Sequence, residues 1–193
     1  MPDDGHVAAP PWDESTRPTY LVPVGARYTE VERAWPQHLV DVHDALRGEL
    51  ARLRDLVDQV RRGLVEVGEA RSVINTMTMR QNNWTLGAYC ETYCRIVTGH
   101  HSLEDHSMFP RLRADPDAAP VIDRLAEEHV VIHGVLEEVD RRLVDLVAAG
   151  PGAVGTALEA LSHQVDQLSD TLLSHLSYEE RELFHPLARL GMV

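Results

Sequence analysis

The sequence predicts an all-α fold, an antiparallel up-and-down four-helix bundle that follows an extended N-terminal arm. Apolar residues recur at spacings of three and four along four long segments, which is the pattern of amphipathic helices. Short connections rich in proline or glycine separate these segments, and helices joined in this way pack antiparallel. The strand pattern of alternating apolar and polar residues is absent from the sequence. We therefore expect one bundle over residues 31–193 and an arm, extended or disordered, over residues 1–30.

The arm and the first helix differ in composition. Residues 1–30 carry five prolines and no periodic apolar pattern, which indicates an arm without a packed face of its own. The first helix is predicted to begin at Trp35-Pro36, because proline suits a first helical turn. Apolar residues then follow at helical spacing: Leu39, Val42, Leu46, Leu50, Leu53, Val57, Val60 and Leu64.

Three further helices are predicted from the same periodicity. The second runs from about Asn83, a suitable N-cap, to Pro110, and the segment 68–82 before it is ambiguous. The third opens at Pro120 and stops at the Gly-Pro-Gly sequence of residues 150–152. The fourth runs from about Val154 to near Phe184.

Composition excludes several classes of function. No run of about 18 apolar residues exists and the first residues lack a basic, apolar leader, so we expect a cytoplasmic protein without a membrane span or signal peptide. A formal net charge of −13 would repel nucleic acid and anionic lipid, so neither is an expected partner. All 18 basic residues are arginine, which excludes a Schiff-base lysine and a phosphate-loop lysine.

The third and fourth predicted helices carry candidate metal ligands. His129 and His133 are four residues apart on the apolar stripe, where two imidazoles are costly to bury unless they are satisfied. In the fourth helix His175 and Glu179 share a face, whereas Glu180, five residues after His175, points away unless the helix is distorted. Glu179 is the preferred ligand on this angle, and Glu180 is the alternative.

The first and second predicted helices supply the remaining candidates. His43 lies on the apolar stripe of the first helix. The second helix offers either His100 with Glu104 or His101 with Asp105, each pair four residues apart. Because adjacent residues of a helix face about 100° apart, we expect only one of these pairs to point inward.

Five imidazoles and two carboxylates would then converge in the bundle. This set suits a pair of transition-metal ions, because imidazole binds iron, zinc, copper and nickel and a carboxylate can bridge two ions. Two six-coordinate irons need about twelve donor positions, of which these side chains and one bridging oxo or hydroxo group supply about eleven. The open position would accept a small molecule such as dioxygen, peroxide or nitric oxide.

The motifs together resemble the hemerythrin-like, or HHE cation-binding, domain family. The resemblance rests on H-x-x-x-H in the third helix, on the segments HHSLED…FP and HLSYEE…FHP, and on the histidine of LVDVHDALRGEL, and it covers roughly residues 35–190. It implies two non-haem iron ions bridged by an oxo or hydroxo group, with zinc as a substitute. The implied ligands are His129, His133 and His175 for one iron, His43 and His100 for the other, and Glu104 and Glu179 as bridges.

Two departures from the oxygen-carrying members bear on function. Those members have an aspartate five residues after the fourth-helix histidine, where this chain has glutamates at four and five. His101 stands where they have an apolar residue, and a polar group beside the open position would favour proton-coupled chemistry.

The sequence thus predicts a non-haem diiron protein that binds dioxygen, peroxide or nitric oxide, or that sequesters iron. The alternatives are an enzyme that decomposes peroxide or reduces nitric oxide, and an iron or oxygen sensor. The sequence does not separate binding from catalysis, and it gives no indication of oligomeric state.

Overall fold

The computed structural model of the protein describes residues 11–62, 86–150 and 152–190. The elements are α1 (Glu30–Arg61), α2 (Leu86–Leu103), a π-helical segment (Glu104–Met108), α3 (Phe109–Leu112), α4 (Ala119–Ala148) and α5 (Val154–Leu190), preceded by a 3-10 turn at Glu14–Thr16. No strand occurs in these described ranges, and the predicted helical bundle is confirmed. The predicted start at Asn83 and the ambiguous segment 68–82 lie outside the described residues.

Two helix ends differ from the prediction, for local reasons. α1 begins at Glu30, ahead of Pro36, because Thr29 and Glu32 form a capping box in which each side chain accepts a hydrogen bond from the other residue's backbone N–H. α5 continues past Phe184 to Leu190, because Leu187 and Leu190 pack into the apolar core at that end of the bundle.

Two apolar cores lie one above the other along the bundle axis. The larger core holds the second half of α1, Cys90, Tyr93 and Val97 of α2, the second half of α4 and the first half of α5. The smaller core holds Leu39 of α1, Phe109 and Leu112 of α3, the start of α4 and the end of α5. Each long helix therefore passes from one core to the other in the sense opposite to its neighbour in sequence, which is the predicted up-and-down topology.

A polar layer separates the two cores. It contains fully buried histidine and glutamate side chains, one helical turn or less from the apolar residues above and below. Burying such groups is costly unless they are paired or bind a cation. The fold thus places the candidate ligands at one height, where all four long helices contribute.

The part of the arm that the structure describes, residues 11–29, packs against the bundle. The Arg17 guanidinium lies 4.5 Å from the centre of the Tyr178 ring and donates hydrogen bonds of 2.8 and 2.9 Å to Glu128. The backbone N–H of Tyr20 donates to Glu182 at 2.7 Å. These contacts fix a segment that has no regular secondary structure beyond its 3-10 turn.

None of the described helices is both long enough and apolar enough to cross a lipid bilayer.

Candidate metal centre

Two groups of potential metal ligands face each other in the polar layer. In each group the ligand atoms lie within 4.8 Å of one another. A three-histidine cluster contains His101, His129 and His175, all buried. The second, the two-histidine cluster, contains His43, His100, Glu104 and Glu179.

The imidazole nitrogens converge in pairs as they would around a cation. His129 Nε2 lies 3.1 Å from His175 Nε2, and His43 Nε2 lies 3.1 Å from His100 Nε2. Two nitrogens held at about 2.1 Å from one metal, at right angles, would be about 3.0 Å apart. The observed separations fit a shared metal ion in each cluster.

The two carboxylates join the clusters. Glu104 places Oε1 at 3.2 Å from His100 Nε2 and Oε2 at 3.6 Å from His129 Nε2, so its two oxygens face different clusters. Glu179 Oε2 lies 3.5 Å from His43 Nε2 and 3.7 Å from His175 Nε2. Both groups are therefore placed to bridge two ions.

Unpaired polar atoms at the centre also fit a cation. Both ring nitrogens of His101 and both oxygens of Glu104 and of Glu179 are buried without a hydrogen-bonding partner among the described residues. Native proteins leave few such groups unsatisfied, and a pair of metal ions would bind the carboxylate oxygens and one ring nitrogen of His101. The donor set of imidazole nitrogen and carboxylate oxygen suits iron and zinc.

A second layer of carboxylates orients three of the histidines. Each accepts a hydrogen bond from the Nδ1 side of an imidazole, which leaves the Nε2 lone pair directed at the centre. The pairs are His43 with Glu180 at 2.8 Å, His129 with Asp105 at 2.8 Å, and His175 with Glu128 at 3.1 Å. Glu180 and Glu128 are held in turn by arginines, Arg47 at 2.7 Å and Arg17 at 2.8 Å.

Burial sets the ionisation of the centre. It lowers the pKa of His43 and of His100 to about 3, and that of His129 to about 2, so these rings stay neutral, the form that binds metal. Burial raises the pKa of Glu179 to about 8. It also raises the pKa of Glu104, and the facing Glu179 carboxylate adds to the rise. A bound cation would stabilise both carboxylates in their charged form.

The structure brings His101 into the centre in addition to His100. The expectation that only one of the pairs in α2 could point inward is wrong, because two adjacent residues can flank the inward direction, each at about 50°, and so serve different clusters. Asp105 also contributes, as the partner of His129. The π-helical turn that follows, in which the Phe109 N–H bonds to the Glu104 carbonyl, returns Phe109 to the core side.

His133 is the one predicted ligand that the structure leaves outside both clusters. It lies a turn beyond His129, with its ring centre 5.8 Å from that of His101. The His101 ring stacks on His129 at 4.0 Å and takes the third position of the three-histidine cluster. The other six predicted ligands, His43, His100, Glu104, His129, His175 and Glu179, lie in the two clusters.

Sequence reasoning missed the role of the outer carboxylates. Glu180 lies outside both clusters, and its carboxylate accepts a hydrogen bond from His43. Glu128 directly precedes His129, and neither its spacing nor its type distinguishes it in the sequence from a solvated acid. Of the histidines that were not predicted to be ligands, His38, His106 and His163 are exposed, His6 lies outside the described residues, and His185 is buried against Tyr28.

Comparison with known proteins agrees with this geometry. A family model, the hemerythrin HHE cation binding domain, matches residues 36–187. No curated protein and no solved structure is significantly similar to the chain. The matched range covers most of each of the four long helices and every residue of the two clusters. The match confirms the resemblance predicted from the motifs, and the chain belongs to the hemerythrin HHE cation-binding domain family.

Proposed function

We propose that the protein holds two non-haem iron ions in the polar layer and binds dioxygen or a related small oxidant, peroxide or nitric oxide, there. The observation that carries the proposal is the presence of two ligand clusters that share Glu104 and Glu179. Carboxylates that bridge two ions join them in one dinuclear centre.

The unequal histidine count supports an open position on one side. Three imidazoles and two carboxylates surround one cluster, whereas two imidazoles and the same two carboxylates surround the other. A six-coordinate ion at the two-histidine cluster would thus have more positions free of protein. An iron pair would supply an exchangeable coordination position and a reversible change of oxidation state.

Residues around the polar layer limit the access of water to the centre and orient its histidines. The apolar cores above and below the layer limit entry of water, which raises the strength of every electrostatic contact in it. Glu180, Asp105 and Glu128 fix the orientation of three imidazoles and keep their Nε2 lone pairs directed at the centre.

The position of His101 in the structure changes its expected role beside the open coordination position. As a member of the three-histidine cluster, this residue is not a free polar neighbour of the open position. It therefore gives no support to proton-coupled turnover, and we favour binding of a small oxidant over catalysis.

Metal analysis followed by an oxygen-binding experiment tests the proposal. We expect close to two irons per chain after anaerobic loading with Fe(II), and a visible absorption band that appears with oxygen and disappears when oxygen is removed. Fewer than one iron per chain would overturn the diiron assignment. Rapid consumption of peroxide or nitric oxide, without a persistent band, would replace binding with catalysis.

A further inference from the structure

An apolar cavity of about 310 Å³ opens beside the two-histidine cluster. Its inner wall includes His100 and Glu104, two members of that cluster. The volume lies at the lower end of the range of about 300–1,000 Å³ that is typical of small-molecule sites. A ligand in this cavity would lie directly against the metal centre.

The lining of the cavity is mostly carbon. Six apolar side chains from α1, α2, the π-helical segment and α5 form it: Trp35, Leu39, Val42, Leu103, Met108 and Leu187. The π-helical segment supplies part of the wall, and such wide turns are frequent at functional sites. An aliphatic chain would be stabilised here by transfer from water.

The two charged residues of the lining, Arg111 and Glu104, lie at opposite ends of the cavity. Arg111 is exposed, so a guanidinium stands on the solvent side. Glu104 is buried at the inner end, behind the apolar part of the lining. A carboxylate is costly to bury among apolar side chains, so an anionic head group is favoured at the solvent side.

We propose that this cavity binds a medium-chain aliphatic carboxylate, with its head group at Arg111 and its hydrocarbon tail directed towards His100 and Glu104. The site depends on apolar burial and on one arginine. It goes beyond the proposed function and does not depend on which metal the clusters hold.

Chain length provides the first test. We would titrate the purified protein with butanoate, hexanoate and octanoate by isothermal titration calorimetry. Each buried methylene should tighten binding by about fourfold until the cavity is full. Equal affinities across the series, or no binding of octanoate, would overturn the proposal.

Matched variants test the two ends of the site. Arg111→Gln should weaken octanoate about threefold and leave 1-octanol unchanged, because only the charged head group loses a partner. Arg113→Gln is the control, since Arg113 is a nearby exposed arginine that pairs with Asp123 and is not part of the lining. Equal losses from both substitutions would show that Arg111 has no specific role and would contradict the assigned orientation.

Filling the cavity tests the tail. Val42→Phe should weaken octanoate and 1-octanol alike, whereas Val144→Phe, on an exposed position of α4, should change neither. Should Val42→Phe fail to fold, Leu103→Glu replaces it, because Leu103 is 66% exposed and an acid there should repel octanoate. Octanoate binding unchanged by a folded cavity variant would refute the site.

The metal content of each sample separates this inference from the proposed function. A protein without iron that still shows the chain-length dependence would retain the carboxylate site and lose the diiron assignment. A protein with two irons whose carboxylate binding does not depend on chain length would retain the diiron assignment and lose the carboxylate site.

Discussion

At the scale of single residues, Glu128 connects the metal centre to the rest of the molecule. It accepts a hydrogen bond from His175 Nδ1 and two from Arg17, and Arg124 donates a further one at 3.0 Å. Although burial opposes ionisation, the contacts with His175 and Arg17 hold the pKa of Glu128 below its usual value, and it remains a carboxylate. A charged acceptor behind His175 makes the imidazole a better donor of electron density to a metal.

Glu128→Gln should therefore lower metal affinity. The amide can still accept a hydrogen bond from His175, but it carries no charge, and loss of such a partner reduces metal affinity by about ten- to a hundredfold. Competition with a chromophoric chelator measures the change. The control is Glu127→Gln at the neighbouring exposed position, where we expect no change. Similar affinities for the two variants would show that the charge behind His175 is unimportant.

At the scale of elements, α2 differs most from what its sequence predicts. An ideal helix has one inward direction, whereas a centre of two ions is wide enough to take ligands from residues on either side of that direction. His100 and His101 are used in this way. The wider turn of the π-helical segment then changes the direction in which the following side chains point. Nothing in its sequence, EDHSM, indicates a π-helix.

Substitutions at His101 and His133 should have unequal effects. Each change to alanine removes the same side chain, but only His101 lies in a cluster. We expect His101→Ala to lower the iron content and the thermal stability of the loaded protein, and His133→Ala to retain both. Iron content is measured by elemental analysis on samples of equal purity. Loss of iron from the His133 variant alone would restore the ligand set implied by the family resemblance.

The presence of the helices and the identity of most ligands could be predicted, because both depend on the spacing of residues along a single helix. His43, His129 and His175 each fall on an apolar stripe that the sequence shows directly. The contacts of Arg17 with Glu128 could not be predicted, because they join residues more than a hundred positions apart through an arm that has no periodicity. The choice between His101 and His133 also depends on how α2 and α4 pack, which spacing within one helix does not define.

At the scale of the whole molecule, the polar layer couples stability to metal and to pH. In the metal-free protein the pKa of Glu179 is about 8, against an ordinary value of 4.5. Between these pH values the folded state keeps a proton that the unfolded state loses, so stability falls as pH rises towards 8. The pKa of His43 is lowered from 6.5 to about 3, so the histidine contribution changes only below about pH 6.5.

The metal-free protein should consequently be less stable at pH 8 than at pH 6.5. The metal-loaded protein should not share this loss, because a higher pH removes the protons that compete with the metal for its ligands. Urea unfolding midpoints at the two pH values, with and without a chelator, measure both trends. A metal-free midpoint that increases with pH in this window would show that the buried carboxyls are already ionised.

The last helix contributes to both clusters, His175 to one and Glu179 to the other. A nascent chain that has not yet produced α5 therefore cannot complete either metal position. Capture of a metal by the complete ligand set must follow synthesis of α5 as far as Glu179, so a stably loaded centre marks a molecule in which all four long helices have assembled.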